Sequence, residues 1–410
     1  MVNKTQSPAP IFDSIEYFNE QNDFQHLSSK YNLNDILISK SFLKSYIGSR
    51  GTFDSYRREI ERLLHWGILI KNKSLKQLKR DDIEEYINFC RNPAKEWLGK
   101  TKPHKFKNID GVRVPNPKWR PFIVTISKSD RKSGKTPRIN QFELANDSVK
   151  EIFSILASFF NYLMQEEYVH INPIYLVRQK SKFIRARQSA PKIRRLSELQ
   201  WQYVIKTAQS LADEDPKKHE RTLFIMSALY SMYLRISELS ASKRWTPTMS
   251  HFAKDSDDNW WFTTVGKGNK EREIAVSQAM IKALRRWRRH LGLPALPSPS
   301  DNSPLLPKSN GVPVSSTNLI RLIVQYCFDK AIEKLNTDGF IDDAEALAQA
   351  TVHWLRHTGI SDDVKIRPRE HVRDDAGHSS SAITDKYIDV EKRERHRSAK
   401  RKQIDHEEVT

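Results

Sequence analysis

Residues 179–195 (QKSKFIRARQSAPKIRR) hold seven Lys or Arg, no acid and one proline. The run reads as a linker between two helical bodies, and it suits a chain that crosses a phosphate backbone. It splits 410 residues into two parts of ordinary domain size. Its bases, Lys180, Lys182, Arg185, Arg187, Lys192, Arg194 and Arg195, are candidate nucleic-acid contacts.

Before the linker the pattern is helical. Tyr56, Ile60, Leu63 and Leu64 recur at one face of an amphipathic helix. Asp81 and Glu84 read as a capping box for a helix carrying Ile83, Tyr86, Ile87 and Cys90. Ile152, Ile155, Leu156, Phe159, Phe160 and Leu163 predict a second clear helix over 147–166, which Asn172-Pro173 ends. Residues 1–37 carry more acid than base and read as an N-terminal extension to a helical domain over 38–178. Within that domain, 95–140 has no sustained period. It carries thirteen Lys or Arg against three acids, with Trp97, Phe106, Trp119 and Phe122 interleaved, and reads as a basic insertion, either a nucleic-acid contact or a solvated segment.

After the linker a second domain covers 196–400, followed by a tail over 401–410. Helices are predicted at 197–212, 218–233, 277–291, 315–335 and from 351 onward. Residues 259–276 read as a β-hairpin turning at Gly266–Lys270. The segments 243–258 and 329–349 read as insertions.

Charge narrows the partner. Lys plus Arg number 69 against 50 Asp plus Glu, a net +19, which points to a polyanion: nucleic acid first, an anionic membrane second. The basic segments lack an amphipathic helix with a bulky apolar face, so no membrane partner is expected. No apolar stretch approaches the roughly 18–20 residues that span a bilayer. The N-terminus lacks a secretory pattern. Cys90 and Cys327 are too few for a disulfide framework or a four-cysteine zinc site, and they suit a reducing cytosol. The expected location is the bacterial cytoplasm or nucleoid.

Four short stretches carry chemistry: LRISEL at 234–239, VGKGNKERE at 265–273, HWLRHT at 353–358 and GHSSSAITDKY at 377–387. Singly each is weak. Together, in the order Arg, Lys, His-x-x-Arg, Gly-His, Tyr, they resemble the tyrosine recombinase (phage integrase) family. The nine residues from His378 to Tyr387 match the family's interval. The resemblance covers 196–400, and more weakly 38–178 as a helical, SAM-like core-binding domain.

The resemblance implies a mainly α fold with a small antiparallel β-sheet, built as two lobes that clamp DNA. It implies an α+β catalytic domain using Tyr387 as nucleophile, Arg235 and Arg356 as phosphate clamps, and His378 and His353 as further donors. His353 is the implied proton acceptor and Lys267 the implied acid, with Lys270 as runner-up. Glu238 is the implied acid that orients Arg235. Transesterification at a phosphodiester suits this set, because guanidinium stays charged and offers forked donors to the oxygens that gather charge. A tyrosine hydroxyl has a free pKa of about 10 and needs positive neighbours to act. A covalent 3′-phosphotyrosine conserves the energy of the broken bond, so neither metal nor ATP is expected and no cofactor is called for.

The implied partners are double-stranded DNA, other copies of the chain in a tetramer on two DNA sites, and a directionality or accessory protein. Integration or excision of a mobile element is the preferred role. A type IB topoisomerase or a non-catalytic DNA binder of the same fold are the alternatives. Two departures stand out. Trp354 follows His353 where the family usually has an acid, and Asp374-Asp375-Ala376 precedes Gly377-His378 where the family commonly has apolar residues.

Overall fold

The computed structural model describes residues 7–21, 24, 26–27, 29–178, 194–266 and 268–378, and the single positions 380, 384 and 399. The chain forms two compact units, Met1–Ala190 and Pro191–Thr410.

The N-terminal unit is built on the helices Leu33–Lys44, Arg50–Leu69, Arg80–Arg91 and Asn146–Gln165, with the short Pro173–Arg178 behind them. The two longest bury the predicted stripes: Ile60, Leu63 and Leu64 on one, Ile152, Leu156, Phe159, Phe160 and Leu163 on the other. Asn172 does not end the Asn146–Gln165 helix, which stops seven residues earlier; it starts the next one. Its amide donates to Ala157 O at 3.0 Å, and its oxygen accepts from Ile174 N at 3.0 Å to cap the next helix. In the Arg80–Arg91 helix it is Asp82, not Glu84, that reaches back, accepting from Lys79 N at 2.8 Å.

Two expectations for this unit change. The first 37 residues are not a separate extension, because Ile11, Phe12 and Phe18 lie in the core, and the Ile11 and Phe12 amides donate to buried Glu61. The 95–140 segment is not an open basic loop either. It holds a Phe106–Ile109/Val112–Pro115 hairpin and a parallel pairing of Leu98–Gly99 with Phe122–Ile123. Trp97, Phe106, Trp119 and Phe122 are buried, so these aromatics anchor the segment to the protein rather than offering faces to bases.

In the C-terminal unit, helices Glu198–Glu214, Pro216–Ser231, Gln278–His290, Thr317–Thr337, Ile341–Ala348 and Val352–Asp363 surround one main core, and helix Arg369–Ala376 packs in a smaller cluster with Tyr233 and Ile360. Ser197, Asp215, Ser277 and Ser316 cap four of them through their side chains. A three-stranded antiparallel sheet runs Phe252–Lys254, Trp260–Val265, Glu271–Ala275 in chain order. The first strand comes from 243–258, where Met249 and Phe252 are buried; Ala344 and Leu347 are buried in 329–349. Both segments are therefore core elements rather than surface insertions. Gly359 lets the Val352–Asp363 helix meet the Pro216–Ser231 helix, since a Cβ there would stand 2.1 Å from Tyr230 O. Among the described residues no helix is long and apolar enough to cross a membrane.

Candidate active site in the C-terminal unit

The Pro216–Ser231 helix ends and the chain turns through Tyr233, whose φ of 49° is unusual for a bulky residue. That turn presents Arg235 at the head of the 3₁₀ turn Ile236–Glu238. Glu238, 1% exposed at its side chain, holds it: Oε2 accepts from Arg235 N at 2.8 Å and Oε1 from Arg235 Nη1 at 3.0 Å. The same carboxylate accepts Arg272 Nη1 at 2.7 Å and Nη2 at 2.8 Å. Burial would raise the Glu238 pKa, but the Arg272 hydrogen bonds and charge, and then those of Arg235, outweigh it and hold the group below its ordinary value.

Arg356 comes from the Val352–Asp363 helix and is buried. It donates to Tyr233 O, two residues before Arg235, and to Ala376 O at 2.5 Å. Its Nη2 also lies 3.3 Å from His378 Nε2. A guanidinium only donates, so His378 Nε2 accepts and the proton sits on Nδ1, 2.9 Å from Thr384 Oγ1. His378 reaches this place because Gly377 ends the preceding helix in the left-handed region, at φ 62°. Burial, then Arg356, Arg235 and Arg272, push the His378 pKa down to about 4. His353 is lowered by burial and then by Arg356, Arg235 and Arg321.

The structure thus brings together Arg235, Glu238, His353, Arg356 and His378. Lys267 and Tyr387 lie outside the described residues. So do Lys180, Lys182, Arg185, Arg187 and Lys192; Arg194 and Arg195 are described. Arg194 acts on His357, one turn after His353, whose pKa falls to about 4 through burial and then His353, Arg356 and Arg194. Leu196 N donates to Thr358 Oγ1 at 2.9 Å, tying the end of the linker to the helix that carries His353 and Arg356.

Arg272, Arg367 and Asp375 belong to this site and escape the motif reading. Asp375 explains the acidic departure before His378: it is buried, accepts Arg367 Nη2 at 2.6 Å, and accepts the Ala275 amide at 3.2 Å. The strand alternation carried a signal for Arg272. It shares a face with buried Ile274, while Glu271 and Glu273 point out.

No sequence-family profile matches the chain. The tyrosine recombinase XerC of Thermodesulfovibrio yellowstonii is 26% identical over 255 residues, 60% of this chain and 71% of that protein. The chain is thus similar in sequence to tyrosine recombinases. The tyrosine recombinase XerD of Chlorobaculum tepidum is 24% identical over 202 residues, covering 48% of this chain and 59% of the relative. In fold the chain is similar to the XerH site-specific recombinase, solved as a post-cleavage complex with a palindromic difH substrate. The TM-score is 0.52 at 13% identity, over 92% of this chain and 91% of the other.

Proposed function

We propose that this chain is a site-specific integrase that cuts and rejoins DNA through a 3′-phosphotyrosine at Tyr387. The observation that carries the reading is the convergence of Arg235, Arg356 and His378 on one buried, positively charged cradle. Such a cradle favours the anionic, five-coordinate phosphorus of a transesterification.

Tyr387 Oη attacks the scissile phosphorus and gives its proton to His353, whose lowered pKa leaves a neutral base at pH 7. The bond from phosphorus to the 5′-oxygen breaks, and Lys267 supplies the proton that the leaving oxygen takes up. Arg235 and Arg356 hold the nonbridging oxygens throughout, and Glu238 keeps Arg235 in place. Attack by the 5′-hydroxyl of a second duplex releases the tyrosine, and two such exchanges pass through a Holliday junction. This requires several active sites on two duplexes, so the working form is a homotetramer acting in the cytoplasm or on the nucleoid. A directionality or accessory protein is the added partner. Linker bases from Lys180 to Arg195 grip the phosphate backbone, so affinity falls steeply with salt.

The test is covalent trapping. Wild type and Tyr387→Phe are incubated with labelled nicked duplexes tiled across the DNA flanking the gene, then run on a denaturing gel. A protease-sensitive adduct with wild type alone is the expected result. An adduct that survives Tyr387→Phe assigns the nucleophile elsewhere, and no adduct on any fragment, with salt-sensitive binding intact, overturns the reading.

A further inference from the structure

Arg272 stands on the strand Glu271–Ala275, opposite Thr264 and one pair beyond the turn that carries Lys267. Its guanidinium makes three kinds of contact at once. Nη1 and Nη2 donate to the two oxygens of Glu238, at 2.7 and 2.8 Å. Nε donates to Asp375 O at 2.9 Å, two residues before Gly377 and three before His378. The side chain is packed as well as bonded. A Cβ on Gly377 would stand 2.7 Å from Arg272 Cδ, and one on Gly266 would stand 3.1 Å from Arg272 Nη1, with Glu238 Oε1 and Arg235 Nη1 just beyond. Two glycines therefore leave the space that this guanidinium fills.

Asp375 completes the join from the other side. Its carboxylate takes the Ala275 amide of the same strand, so with Arg272 the His378 segment is held to the strand at two points, and it also takes Arg367 Nη2. Three separate pieces of chain meet at Arg272: the turn bearing Arg235, the hairpin bearing Lys267, and the helix end bearing His378.

We infer that Arg272 is a positioning residue that locks the Arg235 turn and the His378 segment to the Trp260–Ala275 hairpin, so that these three pieces of chain share one frame. The inference rests on the proposed transesterification only for its kinetic consequence. Lysine cannot replace the arginine, because it lacks the fork that serves both Glu238 oxygens while a third N–H reaches Asp375 O. A misplacement of about 1 Å in a reacting group costs on the order of a hundredfold in rate.

The experiment compares full-length wild type, Arg272→Met and Arg272→Lys in single-turnover adduct formation at saturating DNA, alongside DNA affinity and amide hydrogen exchange. Both variants are expected to lose about a hundredfold in cleavage rate while DNA affinity stays within about threefold. Exchange is expected to rise together at residues 235–238, at Gly266 and at 376–378, and not in the N-terminal unit. Arg272→Lys with wild-type rate and exchange overturns the inference. So does exchange that rises across the whole C-terminal unit, which marks Arg272 as a general fold contact. If wild type forms no adduct, the transesterification reading fails, and the local exchange pattern alone decides whether Arg272 joins the three segments.

Discussion

His65 in the N-terminal unit and His378 in the C-terminal unit are both held neutral, for different reasons. His65 is fully buried, with Tyr31 Oη 2.6 Å from its Nδ1, and burial alone takes its pKa to about 3. His378 reaches about 4 through burial and three arginines. The surroundings differ in the same way. In the N-terminal unit buried acids and bases are matched: Glu59 with Arg58 and Arg62, Glu61 with Lys105, Asp13 with Arg113. In the C-terminal unit Arg272 and Arg235 share one carboxylate, and Arg356 donates to two backbone carbonyls. The first arrangement is complete as it stands. The second sets three arginines around one neutral histidine, and there buried charge reads as chemistry.

Removing a member of each cluster breaks the comparison most directly. Arg356→Met is expected to lower adduct formation about a thousandfold, measured under single-turnover conditions at saturating DNA. Glu61→Gln in the matched cluster leaves the Lys105 ammonium without its carboxylate. It is expected to cost about 3 kcal/mol in urea unfolding, with the cleavage rate of the folded protein unchanged. A rate loss in the folded Glu61 variant would erase the distinction between the two clusters.

The smallest effect separates the histidines themselves. Unfolded histidine titrates near 6.5, so below that pH the unfolded chain binds more protons than the native one. Stability from both groups is complete above about pH 6.5 and falls as pH drops toward 4. The two histidines share this sign. Saturating vanadate, however, is expected to raise the His378 midpoint by about one unit and leave His65 unmoved, as read by histidine NMR. Equal shifts would mean that the charge around His378 has no special relation to an anion.

Legibility followed the range of the interactions. The Ile152–Leu163 stripe is local and stands in the sequence. The order of Arg235, Glu238, His353, Arg356 and His378 stood there too, since a family's chemistry keeps its order along the chain. The burial of Ile11 and Phe12 did not. Their partner Glu61 lies about fifty residues away, and the acids around them read as a solvated extension. The aromatics of 95–140 were misread for a related reason: Trp and Phe among lysines look alike whether they face bases or a core.

Sequence alone determined the helical periods and the basic balance, because those depend on residue type and spacing. Tertiary structure alone decided that Arg272 holds Glu238 across 34 residues, that Asp375 is a buried acid bound to Arg367 and the Ala275 amide, and that Arg356 spans Tyr233 and Ala376. A hydrogen bond depends on distances of about 3 Å between atoms, and for residues this far apart along the chain only the packing of the helices and the sheet sets those distances.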